Sequence, residues 1–148
     1  MMAAFSPHPY AEHHKSPTGP GDARPTALQI MKDNDLIGTL TSKTFLVTGG
    51  TAGLGLETVR QLAKTGARVF FTARDEAKAK KVVDDLIEEG KTDSNLQNAK
   101  VEWIEMDNAS LKSVKQAAEV FKQKSDLLNV LVCNAGTNSL ASPKEYRC

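Results

Sequence analysis

From Thr44 onward, short apolar runs alternate with longer stretches whose apolar residues recur at helical spacing. Phe45-Leu46-Val47, within residues 44–48, predicts a first strand. Residues 54–65 predict a helix with Leu54, Val59, Leu62 and Ala63 facing inward and Gly66 as its stop. Val69-Phe70-Phe71-Thr72 is continuously apolar up to its last residue, the pattern of a strand covered on both faces. Asp75 opens a second helix, with Val82, Val83, Leu86 and Ile87 apolar, Gly90 as its end, and Lys80–Asp84 and Lys81–Asp85 spaced as exposed ion pairs. After a polar loop, residues 101–106 predict a third strand, whose Glu102 and Glu105 suit a sheet edge. Ser110 caps a third helix with Leu111, Val114, Ala118 and Phe121 on one stripe, and residues 128–133 form a fourth strand. Strands alternating with helices in this way imply a parallel sheet with right-handed crossovers, so the fold class is α/β.

The segment before this ladder reads differently. Five of the six prolines (Pro7, Pro9, Pro17, Pro20, Pro25) fall in the first 25 residues. Residues 1–26 are expected to be a disordered tail and 27–148 the folded domain, with Ala27–Met31 and Leu36-Ile37 a short helix leading in. His8, His13 and His14 suggest either a metal site or solvated side chains, and the composition favours the latter. The whole chain, 148 residues at 40% hydrophobic and 25% charged, suits one soluble domain. A net charge of +1 gives no electrostatic case for nucleic acid. Two cysteines, Cys133 and Cys148, do not make a disulfide framework. No apolar stretch reaches the roughly 18 residues of a membrane span. The first residues lack the patterns of a signal or transit peptide, so cytoplasmic location is expected.

The most informative feature is Thr48-Gly49-Gly50-Thr51-Ala52-Gly53-Leu54-Gly55, set between the first strand and the first helix. A strand, a glycine-rich turn and a helix N-terminus offer unpaired amides and the positive end of a macrodipole to a phosphate. The spacing Gly-x-x-x-Gly-x-Gly differs from the Gly-x-Gly-x-x-Gly dinucleotide fingerprint, and a plain tight turn is the alternative reading. At the end of the second strand stands Thr72-Ala73-Arg74. NAD sites place an acidic residue here for the ribose hydroxyls; Ala73 cannot accept, while Arg74 could pair with a 2′-phosphate, which favours NADP (NADPH) over NAD. The alternative makes Arg74 a surface residue at a helix entrance with Asp75 as the cap.

Residues 48–55 match the Thr-Gly-x-x-x-Gly-x-Gly motif of the short-chain dehydrogenase/reductase family, and Cys133-Asn134-Ala135-Gly136 resembles its Asn-Asn-Ala-Gly motif with cysteine first. Asp107 matches the family's adenine-contacting acidic position, and residues 72–75 look like the NADP-preferring, retinol-dehydrogenase-like members, fungal ones included. The resemblance covers about residues 27–136. It implies a Rossmann-like doubly wound sheet, here its N-terminal half, with about four strands in order 3-2-1-4. It implies that Gly49 permits the turn, Gly53 the approach of the pyrophosphate and Gly55 the packing of helix on strand. Amides of Thr51, Ala52, Gly53 and Leu54 would face the phosphates, and Asp107 and Asn108 would meet the adenine. Asn134, Ala135 and Gly136 would line the cleft, with Asn134 either bracing the sheet or touching the ligand.

The family moves a hydride between an alcohol or carbonyl and the nicotinamide, using a tyrosine, a lysine four residues later and an upstream serine. None can be assigned here. The lysine partner of Tyr146 would fall at position 150, Tyr10 lies in the tail, and Ser139 and Ser142 follow the fourth strand too closely. Residues 137–148 resemble the family less than residues 44–136, so a premature end is expected, with the fourth strand left as an apolar edge and marginal stability. The expected function is the NADP-binding half of an oxidoreductase, with an alcohol or carbonyl substrate only for a complete chain. A non-catalytic dinucleotide-binding or regulatory module, a methyltransferase fragment binding S-adenosylmethionine, and a fragment without function are the rivals. Ala73-Arg74 counts against the methyltransferase, which wants an acidic residue there.

Overall fold

The computed structural model describes residues 9–136. His8, Ser139, Ser142, Tyr146 and Cys148 therefore lie outside the described residues. The chain divides into two compact units, 1–35 and 36–148. In the first, Ala11–His14 forms one turn of 3₁₀ helix inside the segment expected to lack order. The Asp22 carboxylate there accepts from the backbone N–H of Thr18 and Gly19 and pairs with Arg24. Helix α1 (Ala27–Asp33) starts at Thr26, whose hydroxyl accepts from the Gln29 N–H.

The second unit holds one sheet of four parallel strands in the order β3-β2-β1-β4. These are β1 (Thr44–Val47), β2 (Arg68–Ala73), β3 (Lys100–Glu105) and β4 (Val130–Val132). They alternate with α2 (Gly53–Ala63), α3 (Glu76–Glu89) and α4 (Leu111–Lys124). This is the expected order for the N-terminal half of a Rossmann-like sheet. β2 lies inside the sheet, and Val69, Phe70 and Phe71 are each 0% exposed, which explains a strand apolar at successive positions. Phe45, Val47, Val69 and Phe71 pack with residues of α2 and α3 on one face. Phe70, Ile104, Ala117 and Phe121 form a smaller cluster under α4, with Phe70 and Phe121 edge to face at 5.1 Å.

Local chemistry sets the boundaries. Asp75 caps α3 by accepting from the Lys78 N–H, and Ser110 caps α4 by accepting from the Ser113 N–H. Gly66, at φ +79°, ends the α2 segment where a Cβ would press on the Gly38 backbone at 3.3 Å. Three expectations are corrected. Leu54 is 84% exposed because the first turn of α2 extends past the end of the sheet. Ala117, not Ala118, shares the buried stripe with Phe121, one helical turn away, and Leu111 is exposed. Lys80 pairs backwards with Glu76, while Lys81–Asp85 forms as spaced.

The two sheet edges differ. At β3, Arg68 binds Glu102 through Nε and Nη2, stacks over Phe70 at 4.7 Å, and donates to the Lys124 carbonyl; Lys124 also reaches Glu102 at 2.8 Å. At β4 the described residues pair with β1 alone, and Val130 and Leu131 are exposed, as the apolar edge anticipated.

Phe71→Ala should cost about 3–5 kcal/mol through the cavity it leaves, whereas Ile87→Ala, at an exposed site, should change stability by less than about 0.5 kcal/mol. Urea midpoints compare the two, and equal shifts would contradict this core. A second outcome concerns acid. Lys64, buried beside Asp93 at 2.8 Å, holds that carboxyl below its ordinary value. Burial pushes Glu102 up, but its hydrogen bonds from Lys124 and Arg68 outweigh this and leave it lowered. A depressed carboxylate contributes stability above its unfolded pKa and loses it as pH falls through the folded one. Urea midpoints should therefore hold down to about pH 5 and fall toward about pH 2, with a smaller fall in Glu102→Gln.

Candidate functional site

β1 and β4 lie side by side, yet the chain leaves β1 through α2 on one face of the sheet and arrives at β4 through α4 on the other. Such a switch point opens a crevice beyond the C-terminal ends of the strands. Every residue expected from the sequence to meet the cofactor follows one of those ends: 49–55 after β1, Arg74 after β2, 107–108 after β3 and 134–136 after β4.

The turn after β1 is fixed from both sides. Gly49 takes φ +73°, and a Cβ there would stand 3.1 Å from Ala135. Its N–H donates to the Thr72 hydroxyl at 3.1 Å, and the Gly50 N–H donates to the Thr72 carbonyl at 3.1 Å. A Cβ on Gly50 would meet Phe71 at 2.5 Å. From the β4 side, the Asn134 amide donates to the carbonyls of Thr48 and Gly49 at 2.9 and 3.0 Å. The backbone N–H groups of Asn134 and Ala135 both donate to the Thr48 hydroxyl at 3.0 Å. Asn134 thus acts as a brace, one of the two roles its position suggested, and both donors of its amide are engaged in it.

α2 then begins without a side-chain cap, since Ala52 is extended and has no acceptor. The amides of Gly53, Leu54 and Gly55 precede the first bond within the helix, at its positive end. Gly53, at φ +56°, has no atom of the described residues within 4 Å of where a Cβ would stand. Gly55 is the opposite case: a Cβ would collide with the Gly49 carbonyl and the Asn134 amide. Thr51 is half-buried, while Ala52 and Leu54 are exposed.

Arg74 is exposed and forms no ion pair among the described residues. Its neighbour Asp75 spends its carboxylate on the α3 cap and Lys78, which keeps that group below its ordinary pKa. Asp107 accepts from the Ala109 N–H at 3.0 Å, and its own N–H donates to the Ser113 hydroxyl; Asn108 and Gly136 are exposed. Two hydroxyls missing from the sequence-based set, Thr48 and Thr72, hold the turn. The available signal was Thr72 itself, a polar residue in a strand buried on both faces, which requires an internal partner.

The family model for short chain dehydrogenases matches residues 43–147. Short-chain dehydrogenase/reductase prx1 of Penicillium rubens is 44% identical over 91% of this chain and 37% of its own length. Oxidoreductase calI of Penicillium decumbens is 46% identical over 90% of this chain and 37% of its own. An NADPH-bound short chain oxidoreductase from Pseudomonas aeruginosa PAO1 superposes with a TM-score of 0.58 at 30% identity, over 66% of this chain and 36% of that one. The chain thus spans little more than a third of the length of these two curated relatives. Among the described residues, no helix is long and apolar enough to cross a membrane, and no cluster of His, Cys, Asp or Glu could hold a metal. On the matched motifs and the sheet that carries them, the chain belongs to the short-chain dehydrogenase/reductase family.

Proposed function

We propose that this chain is the NADP-binding half of a short-chain oxidoreductase and does not itself carry out hydride transfer. The observation that carries the reading is Arg74, an exposed guanidinium without a carboxylate partner among the described residues, just past the strand that buttresses the glycine turn. A guanidinium there can pair bidentately with a 2′-phosphate. Ala73 cannot accept from ribose hydroxyls, and the Asp75 carboxylate is engaged at the α3 cap. Further support comes from the open space over Gly53 and the uncapped start of α2, suited to a pyrophosphate. Asp107 and Asn108 are the residues for the adenine side. The NADPH bound in the Pseudomonas aeruginosa relative agrees with this choice of cofactor.

The same reading assigns turnover of an alcohol or carbonyl to a complete chain of the family. Tyr10 is followed four positions on by His14 and not by a lysine. Cytoplasmic residence fits the exposed, free Cys133.

Calorimetric titration should show NADPH bound in preference to NADH, with no reduction of carbonyl compounds. Arg74→Asp should weaken NADPH roughly 10- to 100-fold, the worth of a hydrogen-bonded charge pair, and shift preference toward NADH. A folded chain that takes up neither nucleotide would refute the proposal. The glycines give a second test. Gly53→Ala should stay folded at a cost of about 1–2 kcal/mol, yet bind NADPH at least roughly tenfold more weakly. Gly55→Ala should lower the melting temperature even without nucleotide, because α2 must back away from the turn and the Asn134 brace.

A further inference from the structure

We infer that Thr72 is a positioning residue for the dinucleotide, presetting the glycine turn through its hydroxyl; the inference rests on the NADP reading above. Thr72 is 4% exposed and stands in β2 between Phe71 and Ala73, both buried. Its hydroxyl accepts the Gly49 N–H at 3.1 Å, and its carbonyl accepts the Gly50 N–H at 3.1 Å. One residue thus takes two consecutive amides of the turn.

The consequence concerns which amides remain. In a glycine-rich turn without such a partner, Gly49 and Gly50 are free to rotate their N–H groups toward a bound phosphate or toward solvent. With both amides committed to β2, and the Thr48 and Gly49 carbonyls committed to Asn134, the turn has one arrangement before any ligand arrives. The phosphates are left to the amides that follow, at the start of α2. Thr72 also stands two residues before Arg74, so the strand that sets the turn also sets the proposed 2′-phosphate cation. Val would match the shape of Thr72 and remove its hydroxyl, acceptor and O–H donor together.

The test uses the 148-residue chain with Thr72→Val and Thr72→Ser. Three readouts are taken: NADPH affinity, affinity for adenosine 2′-monophosphate, and hydrogen exchange at the Gly49 amide. Thr72→Val should weaken NADPH roughly five- to tenfold, the worth of one hydrogen bond. It should leave adenosine 2′-monophosphate, which has no pyrophosphate, unchanged, and should expose the Gly49 amide to fast exchange. Thr72→Ser should restore all three. In the unsubstituted chain without nucleotide, the Gly49 amide should be protected and those of Gly53 and Leu54 unprotected, a comparison that needs no variant to fold.

Unprotected Gly49 in the unsubstituted chain, equal weakening of both ligands, or a Ser variant as weak as Val would each overturn the role of the hydroxyl. Failure of the unsubstituted chain to bind NADPH would instead overturn the cofactor reading, while the exchange comparison still decides whether Thr72 sets the turn.

Discussion

The peptide at Gly49 is the constraint on which the cofactor edge of this sheet depends. A backbone that leaves β1, reverses at φ +73° and enters a helix within a few residues turns polar groups toward both neighbouring strands. Each needs a partner if it is to stay away from water. The flanking strands supply them in complementary form: β2 offers acceptors to the amides of Gly49 and Gly50, and the residue two past β4 offers donors to the carbonyls of Thr48 and Gly49. Little of the turn is then left to order on binding, which is how a preformed site avoids losing affinity to conformational entropy.

The glycines show the division of labour this imposes. Gly50 and Gly55 lack a Cβ because protein atoms occupy the space: Phe71 in one case, the Gly49 carbonyl and Asn134 amide in the other. Gly53 lacks one with nothing of the described residues within 4 Å of it. One motif therefore combines glycines that close the fold with one that leaves room.

Much of this was legible in the sequence because it followed from periodicity and local chemistry. The continuous apolarity of residues 69–71 corresponds to a strand buried on both faces, and Asp75, Ser110 and Gly66 act at helix ends as their types suggested. What escaped depended on where an element sits relative to others. Leu54 has the spacing of an inward residue, but it stands in the first turn of α2, beyond the end of β1, and is left exposed there. Ala118 and Ala117 are chemically alike, and only the placement of α4 over Phe70 selects between them. Thr72 has the β-branched form favoured in strands, which hid its role as an acceptor until the turn was seen folded back upon it.

The sheet also links the site to its least protected strand. The β3 edge carries Glu102 tied to Arg68 and Lys124, charges that keep an edge from pairing with other chains. Among the described residues β4 has no such cover: residues 127–133 carry no charge, and its register with β1 runs over three residue pairs. Asn134 and Ala135 follow directly from that strand, so half of the turn's anchoring depends on the shortest pairing in the sheet. Local opening is easiest where buried apolar contacts are fewest. A fluctuation that frees β4 also frees the Thr48 and Gly49 carbonyls and removes the packing of Ala135 against Gly49, while the Thr72 side of the turn stays in place. The arrangement of the turn is therefore no more stable than the β1–β4 pairing, and anything that covers the outer edge of β4 also strengthens the turn.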